Sequence, residues 1–407
     1  MTGISADASG STAPAAGTAM ISRERSNAEP LGNAEAYRVA GIEQMLTPAL
    51  AIFRDVVDAN IAATIKNAGG APSRLRPHIK TAKLLSVVRR FVESEIQQCK
   101  CATTLELAVA CEAGMRDVLV AYPLVGANAR RVQELSALYP DVAISALVDH
   151  PLQIQEWHRS IGMFIDVNPG MDRTGIGPEH ASQVVELARA IADSGGPFRG
   201  LHYYDGHLGS LGYEERRSQA LIGYDQLIRL TESVKDAGFE VGEVITSGSS
   251  VFHFASTYPP LLTGGFTLRV SPGAAIYGDL TVQLQLPHHG YRPAALVATR
   301  VVSHPRSNLV TCDAGVKAVA VFAGLPNCAV LGRPELVPQR MSEEHLTLQA
   351  PAGASLPQIG EILYLIPRHA GLTVNNFSEA LVISSDGSVV LEPVSARGRE
   401  SPTALGN

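Results

Sequence analysis

A lysine ending an extended run, set against two loops of small hydroxyl-bearing residues, is the pattern in this chain that can do chemistry. Arg76-Pro77-His78-Ile79-Lys80-Thr81 closes an apolar stretch on that lysine and a polar turn. Much later, Thr246-Ser247-Gly248-Ser249-Ser250 and Ser271-Pro272-Gly273-Ala274-Ala275-Ile276-Tyr277 follow two further apolar runs. Small residues at such turns leave backbone N–H groups and hydroxyls open to an anion. With a lysine across from them, they describe a ligand that is phosphate at one end and reactive toward an amine at the other. Tyr204-Asp205-Gly206-His207 and Arg173 add an aromatic ring, an imidazole and a fixed cation. Taken singly, each has a plainer reading, since lysines and arginines are mostly solvated, Ser/Gly turns close many connections and tyrosines pack. The order of these motifs along the chain favours the chemical reading.

What would position them is a repeated βα pattern. From residue 74, short β-branched runs alternate with amphipathic windows. Strands are expected over 75–80, 101–105, 117–122, 143–148, 163–167, 200–204, 243–247 and 267–271, with helical windows between them such as 106–113, 129–138, 178–194 and 214–237. Eight parallel strands with covering helices imply a closed (β/α)₈ TIM barrel of α/β class, whose chemistry sits where strands end. An open doubly wound sheet is the alternative, without the Gly-x-Gly-x-x-Gly that would support it. Lys80, Tyr204, Ser247 and Ser271 all fall at strand ends.

After residue 280 the texture changes to short alternating runs, 294–302, 309–313, 318–321, 362–366 and 380–383, separated by Pro, Gly and Asn turns. They predict a mostly β C-terminal domain. The division expected is a flexible tail over 1–33, a barrel over 34–285, the β domain over 286–395, joined by an early strand within 46–53, and a polar tail over 396–407. Arg23 and Arg25 leave a transit peptide as a second reading of the N-terminal tail.

With 407 residues, a net charge of −6 and no basic stripe, the composition points to a small-molecule partner, away from nucleic acid and membrane. Five scattered cysteines suit a reducing, cytoplasmic compartment. Cys99-Lys100-Cys101 reads as buried strand, being too close-set for a zinc knuckle.

The ordered motifs resemble those of the fold-type III pyridoxal phosphate enzymes, in particular the D-threonine aldolase and D-serine dehydratase group, with alanine racemases more distant. Arg76-Pro-His-Ile-Lys80-Thr resembles the group's cofactor-lysine motif, and Asp166-Val-Asn-Pro-Gly-Met-Asp-Arg173-Thr-Gly resembles a segment shared with the racemases. Gly200-Leu-His-Tyr-Tyr-Asp-Gly206, Asp313-Ala-Gly-Val-Lys317 and Ser342-Glu-Glu-His345 match the aldolase and dehydratase pattern in order, so the likeness spans about residues 45–385. It implies pyridoxal 5'-phosphate on Lys80 as a Schiff base, Arg173 near the phenolic oxygen, Tyr204 near the pyridine nitrogen, and Ser247, Gly248, Ser249 and Tyr277 around the phosphate. It also implies a homodimer and a lyase acting on a β-hydroxy D-amino acid.

Two departures bear on the reaction. Ser271 stands where racemases tend to have an arginine for the pyridine nitrogen, which favours the aldolase and dehydratase branch. That branch holds a divalent metal, zinc or manganese, through a histidine and a second ligand two residues on. Here His369 is present and Gly371 has no side chain, so His345, Asp313 or Asn375 would have to complete a site. Without a metal, His369, His207 and His78 are the candidates to move a proton at the β-oxygen. A racemase, a metal-independent family variant and a non-catalytic cofactor carrier remain alternatives.

Overall fold

The computed structural model describes residues 36–322, 326–403 and 405, so the tail expected over 1–33 lies outside the described residues. Strand β1 (Ala49–Phe53) precedes seven parallel strands: β2 (Gln98–Cys101), β3 (Asp117–Val120), β4 (Ala143–Val148), β5 (Gly162–Val167), β6 (Phe198–Tyr203), β7 (Glu243–Thr246) and β8 (Thr267–Val270), paired in that order. The eighth staff, expected as a regular strand over 75–80, is an irregular extended segment. It closes the barrel through bridges between Leu75 and Val270 and between His78 and Lys100, with Arg76 N donating to Val270 O and Lys100 N to Pro77 O at 2.9 and 2.8 Å. Pro77 has no N–H to give, which limits the ladder here.

Two expectations shift. The second strand ends at Cys101 instead of beginning there, because Thr103 caps the helix Thr104–Glu112 by accepting from Glu106 N at 3.0 Å. Residues 318–321 form turn and loop where a strand was expected. The remaining long helices, Ala127–Leu138, Ala181–Asp193 and Tyr213–Asp236, cover the barrel close to where periodicity placed them.

Inside the barrel, alternate residues of each staff face inward, so Arg76, His78 and Lys80 form one rising column. At the bottom Arg76, fully buried, meets Asp117 and Glu243 at 2.8 Å each, and Arg199 reaches Asp117 at 2.7 Å. Above these ions lie Leu119, Leu147, Phe164 and Ile245. His78, Lys100, Asp166 and His202 form a polar layer over that apolar one, beneath Lys80 and Tyr204.

A nine-stranded mixed sheet follows: β9 (Ala295–Arg306), β10 (Leu309–Cys312), β11 (Cys328–Val330), β12 (Val337–Met341), β13 (Leu346–Gln349), β14 (Ile362–Pro367), β15 (Glu379–Ile383) and β16 (Val389–Pro393), completed by β1. Strand β1 lies between β9, antiparallel, and β15, parallel. Beyond Pro393 the chain is tied back, with Ala396 N donating to Lys83 O and Glu400 paired to Arg131 at 2.9 Å. All five cysteines are buried, and none is in a disulfide. Among the described residues no helix is long and apolar enough to cross a membrane.

Candidate active site

The cleft forms at the C-terminal ends of the barrel staves. Lys80 ends the irregular staff, and its Nζ lies 5.9 Å from the ring centroid of Tyr204, the first residue after β6. Two more cations face that ring, Lys100 Nζ at 5.6 Å and Arg173 Cζ at 5.0 Å. Burial, then the Arg173 charge, lowers the Lys80 pKa, so its amine reaches the neutral, nucleophilic form more readily than a solvated lysine. His78, beside it, is driven well below the usual histidine range by burial and by Lys80 and Lys100.

Arg173 is aimed by a rigid loop. Asn168 Oδ1 accepts from Gly170 N and Asp172 N at 3.0 Å each, and Thr174 Oγ1 donates to Asp166 at 2.7 Å. Gly175, at φ +97°, passes so close to Asn168 that a Cβ there would meet its backbone nitrogen at 2.7 Å. Tyr204 is wedged similarly, since a Cβ on Gly206 or Gly248 would run into its ring or hydroxyl.

The two small-residue loops lie side by side. Ser249 Oγ accepts from Gly273 N at 3.0 Å and Ala275 N at 3.3 Å, binding the loop after β7 to the loop after β8. A Cβ on Gly273 would meet His78 O at 2.9 Å, so this loop runs against the lysine-bearing staff. Ser247 takes a left-handed φ of 64°, unusual for a side-chain-bearing residue and frequent at functional sites. Its hydroxyl turns inward, to Tyr224 at 2.8 Å and Asp205 at 3.4 Å, and Gly248 N donates to Asp205 at 3.3 Å. Tyr277 donates to Ala82 O at 2.6 Å, steadying the turn after Lys80. Ser271 Oγ is buried without a partner at the end of β8.

His369 enters from the second sheet, on the loop after β14. Asp279 Oδ2 accepts from Ala370 N at 2.9 Å and Thr281 Oγ1 donates to Arg368 O at 2.6 Å, so the segment following Tyr277 pins that loop to the barrel mouth. His369 caps a short turn by accepting from Leu372 N at 3.3 Å, lies 4.8 Å from the Phe322 ring, and is lowered to about 4 by burial and by Lys80. His207 stands on the loop after β6, its Nδ1 buried and unpartnered.

Sequence reasoning missed Lys100, His202 and Asp166 as a connected group. Lys100 Nζ lies 3.1 Å from His202 Nε2, and His202 Nδ1 lies 2.7 Å from Asp166 Oδ1. Alternation was the available signal, because His202 precedes Tyr204 by two residues on one strand and so points the same way.

A match to the alanine racemase N-terminal domain covers residues 52–281, and a match to the serine dehydratase domain covers 294–383. The chain belongs to the alanine racemase N-terminal domain family. Within that class, it is 26% identical to the D-threonine aldolase of an Arthrobacter species, over 86% of this chain and 93% of that one. It is 24% identical to the 3-hydroxy-D-aspartate aldolase of Paracoccus denitrificans, over 88% of this chain and 93% of the relative. The crystal structure of D-threonine aldolase from Filomicrobium marinum superposes with a TM-score of 0.79 at 26% identity, covering 88% of this chain and 97% of that one.

The cleft fits pyridoxal phosphate. The anion-facing loops, the buried amine and the cradled Tyr204 ring stand at one barrel mouth, and the unpartnered Ser271 hydroxyl leaves a polar group for a ligand to satisfy. The residues fit the second family ligand, a divalent metal, poorly. Gly371 offers no ligating atom, and a Cβ there would lie 3.1 Å from Thr81 Oγ1 and 3.2 Å from His369 Cε1, close enough that both neighbours would have to give by a few tenths of an ångström. Asp313 is engaged by Thr299 and Arg300 N, Asn375 by Gly398 N, and His345 is exposed. Among the described residues no three His, Cys, Asp or Glu side chains group as a metal site.

Proposed function

We propose that this chain is a pyridoxal phosphate-dependent lyase acting on β-hydroxy D-amino acids, with retro-aldol cleavage as its reaction. The observation that carries the reading is the convergence of Lys80, its pKa lowered by burial and by the Arg173 charge, with Arg173 and the paired serine loops around Tyr204. The aldolase relatives named above support it. Bound here, pyridoxal phosphate supplies an aldehyde that joins an amine and a conjugated ring that takes up negative charge. The loops around Ser249 and Gly273 hold its phosphate, with Ser247, Gly248 and Tyr277 shaping them. Arg173 would hold its phenolic oxygen and Tyr204 would face its ring nitrogen.

In this reading Lys80 tethers the cofactor and moves the proton at the α-carbon. His369, kept neutral by burial, accepts the proton of the β-hydroxyl, which is what carbon–carbon cleavage needs. The lone histidine ligand makes the reaction metal-independent. Buried cysteines outside any disulfide and the resemblance to enzymes with paired clefts support a cytoplasmic homodimer.

The test incubates the holoenzyme with D-threonine, D-serine and 3-hydroxy-D-aspartate, with chelator and with added zinc or manganese. Glycine and the matching aldehyde, formed equally in chelator, are expected. A keto acid with ammonia would move the assignment to dehydratase, exchange of enantiomers to racemase, and inertness across the panel to a cofactor carrier. Activity only with added metal would overturn the metal-independent reading.

A further inference from the structure

The proposed reaction leaves one charged group of the cleft without a task. Lys100 points inward from β2, beside His78 and one step below Lys80, and is 1% exposed. Among the described residues the single hydrogen bond of its side chain goes to His202 Nε2 at 3.1 Å, and no carboxylate pairs with it directly. His202 Nδ1 meets Asp166 Oδ1 at 2.7 Å, while Thr174 Oγ1 donates to the other Asp166 oxygen at 2.7 Å. With Asp166 as acceptor the imidazole proton sits on Nδ1, and Nε2 is free to accept from Lys100.

An ammonium sealed from water without a counter-ion against it is unfavourable, and this chain of groups offers relief. Lys100 can pass a proton to Nε2 as the Nδ1 proton moves to Asp166. At the first junction the Lys100 N–H bond breaks and an Nε2–H bond forms, at the second the Nδ1–H bond breaks and an Asp166 O–H bond forms; the cation and the carboxylate are both neutralised, and the net charge of the layer is unchanged. Such a relay lets Lys100 exist as ammonium or as free amine at the floor of the cleft.

We infer that Lys100, held by His202 and Asp166, is a second proton-exchanging amine of this site, coupled to Lys80 so that the two do not both keep a full charge. The coupling follows from placement, since both nitrogens face the Tyr204 ring from within 6 Å. Burial and the Lys80 charge together bring Lys100 down to about 7, against the opposing pull of Asp166. From the closing staff Lys80, His78 and Arg76 face it; from the other side Asp166, His202 and Asp205 do. Arg173 lowers and Glu106 raises the neighbouring Lys80 amine. When Lys80 loses its charge, by tethering or by proton transfer, Lys100 takes up a proton. It is a positioning residue, acting through the ionisation of Lys80, and the inference rests on the reading that Lys80 carries the cofactor.

The test follows the full chain, labelled with ¹³C at the lysine ε-carbon, by NMR over pH, before and after loading with pyridoxal phosphate. One resonance is expected to titrate near neutrality and to vanish in Lys100→Met. In Lys80→Met, which leaves Lys100 in place, it should move up by about one pH unit or more, and loading the wild type should move it the same way. A neutral-range resonance that survives Lys100→Met, or one indifferent to Lys80→Met, overturns the inference. The Lys80→Met arm decides the matter should Lys100→Met fail to fold. The titration is read without turnover, so loss of the lyase assignment alone leaves this result standing, and loss of this result leaves the lyase assignment standing.

Discussion

Lys80 and Lys100 are the same residue type, one inward step apart in the barrel, and their surroundings separate their roles. Lys80 lies at the mouth, where Arg173 and burial lower it and where small-residue loops leave room for a ligand. Lys100 lies under it, held by an imidazole. Gly371 makes a similar point by what it lacks. Giving it a thiol, Gly371→Cys, should create neither a metal site nor metal dependence. It should lower stability by about 1–2 kcal/mol, because the new Cβ presses on Thr81 and His369. Thermal unfolding and activity with and without zinc check both parts.

At the scale of elements, the loop carrying His369 belongs to the second sheet and works at the barrel mouth, and Asp279 makes the junction. Its two oxygens accept from Val282 N at 3.0 Å and Ala370 N at 2.9 Å. Asp279→Ala leaves both N–H groups without an acceptor. It should cost about 1–3 kcal/mol in denaturant melts and reduce kcat more than it raises KM, since His369 is displaced and the substrate's amine site is not.

Periodicity made the covering helices and six of the staves legible, because burial on a parallel barrel repeats every few residues. The closing staff was legible as extended and illegible as irregular, since its pairing depends on edges brought together by the whole barrel. Lys80, Tyr204 and the serine loops announced themselves by motif. Lys100 did not: between two cysteines it read as ordinary strand, and only the barrel brings His202 and Asp166 to it. Which way Ser247 and Tyr277 turn their hydroxyls likewise depends on distant residues: for Ser247 on Tyr224 and Asp205, 23 and 42 positions away, and for Tyr277 on Ala82, 195 positions away.

For the molecule as a whole, the ions closing the barrel's lower end matter most to stability. Arg76 is fully buried between Asp117 and Glu243. Arg76→Met removes the one fully buried partner of both carboxylates, leaving Asp117 with Arg199 and Glu243 with Arg269, and should destabilise by about 3 kcal/mol at neutral pH. The pH dependence has a definite sign. Burial works to raise Asp117, but hydrogen bonds and charge from Arg76 and Arg199 bring it from 3.8 down to about 2. A carboxyl depressed by folding stabilises above its unfolded value and loses that contribution as pH falls. Wild-type stability from this group should therefore be complete above about pH 4 and drain away toward pH 2, and Arg76→Met should show a much shallower acid limb in urea melts.

Two lysines in one cleft make the identity of the tether the point on which the account turns. Reducing the holoenzyme with borohydride fixes pyridoxal phosphate to whichever lysine holds it, and peptide mass mapping then locates it. The modification is predicted on the peptide containing Lys80, and it should disappear in Lys80→Ala while persisting in Lys100→Met. A cofactor found on Lys100, or on no lysine at all, would contradict the account.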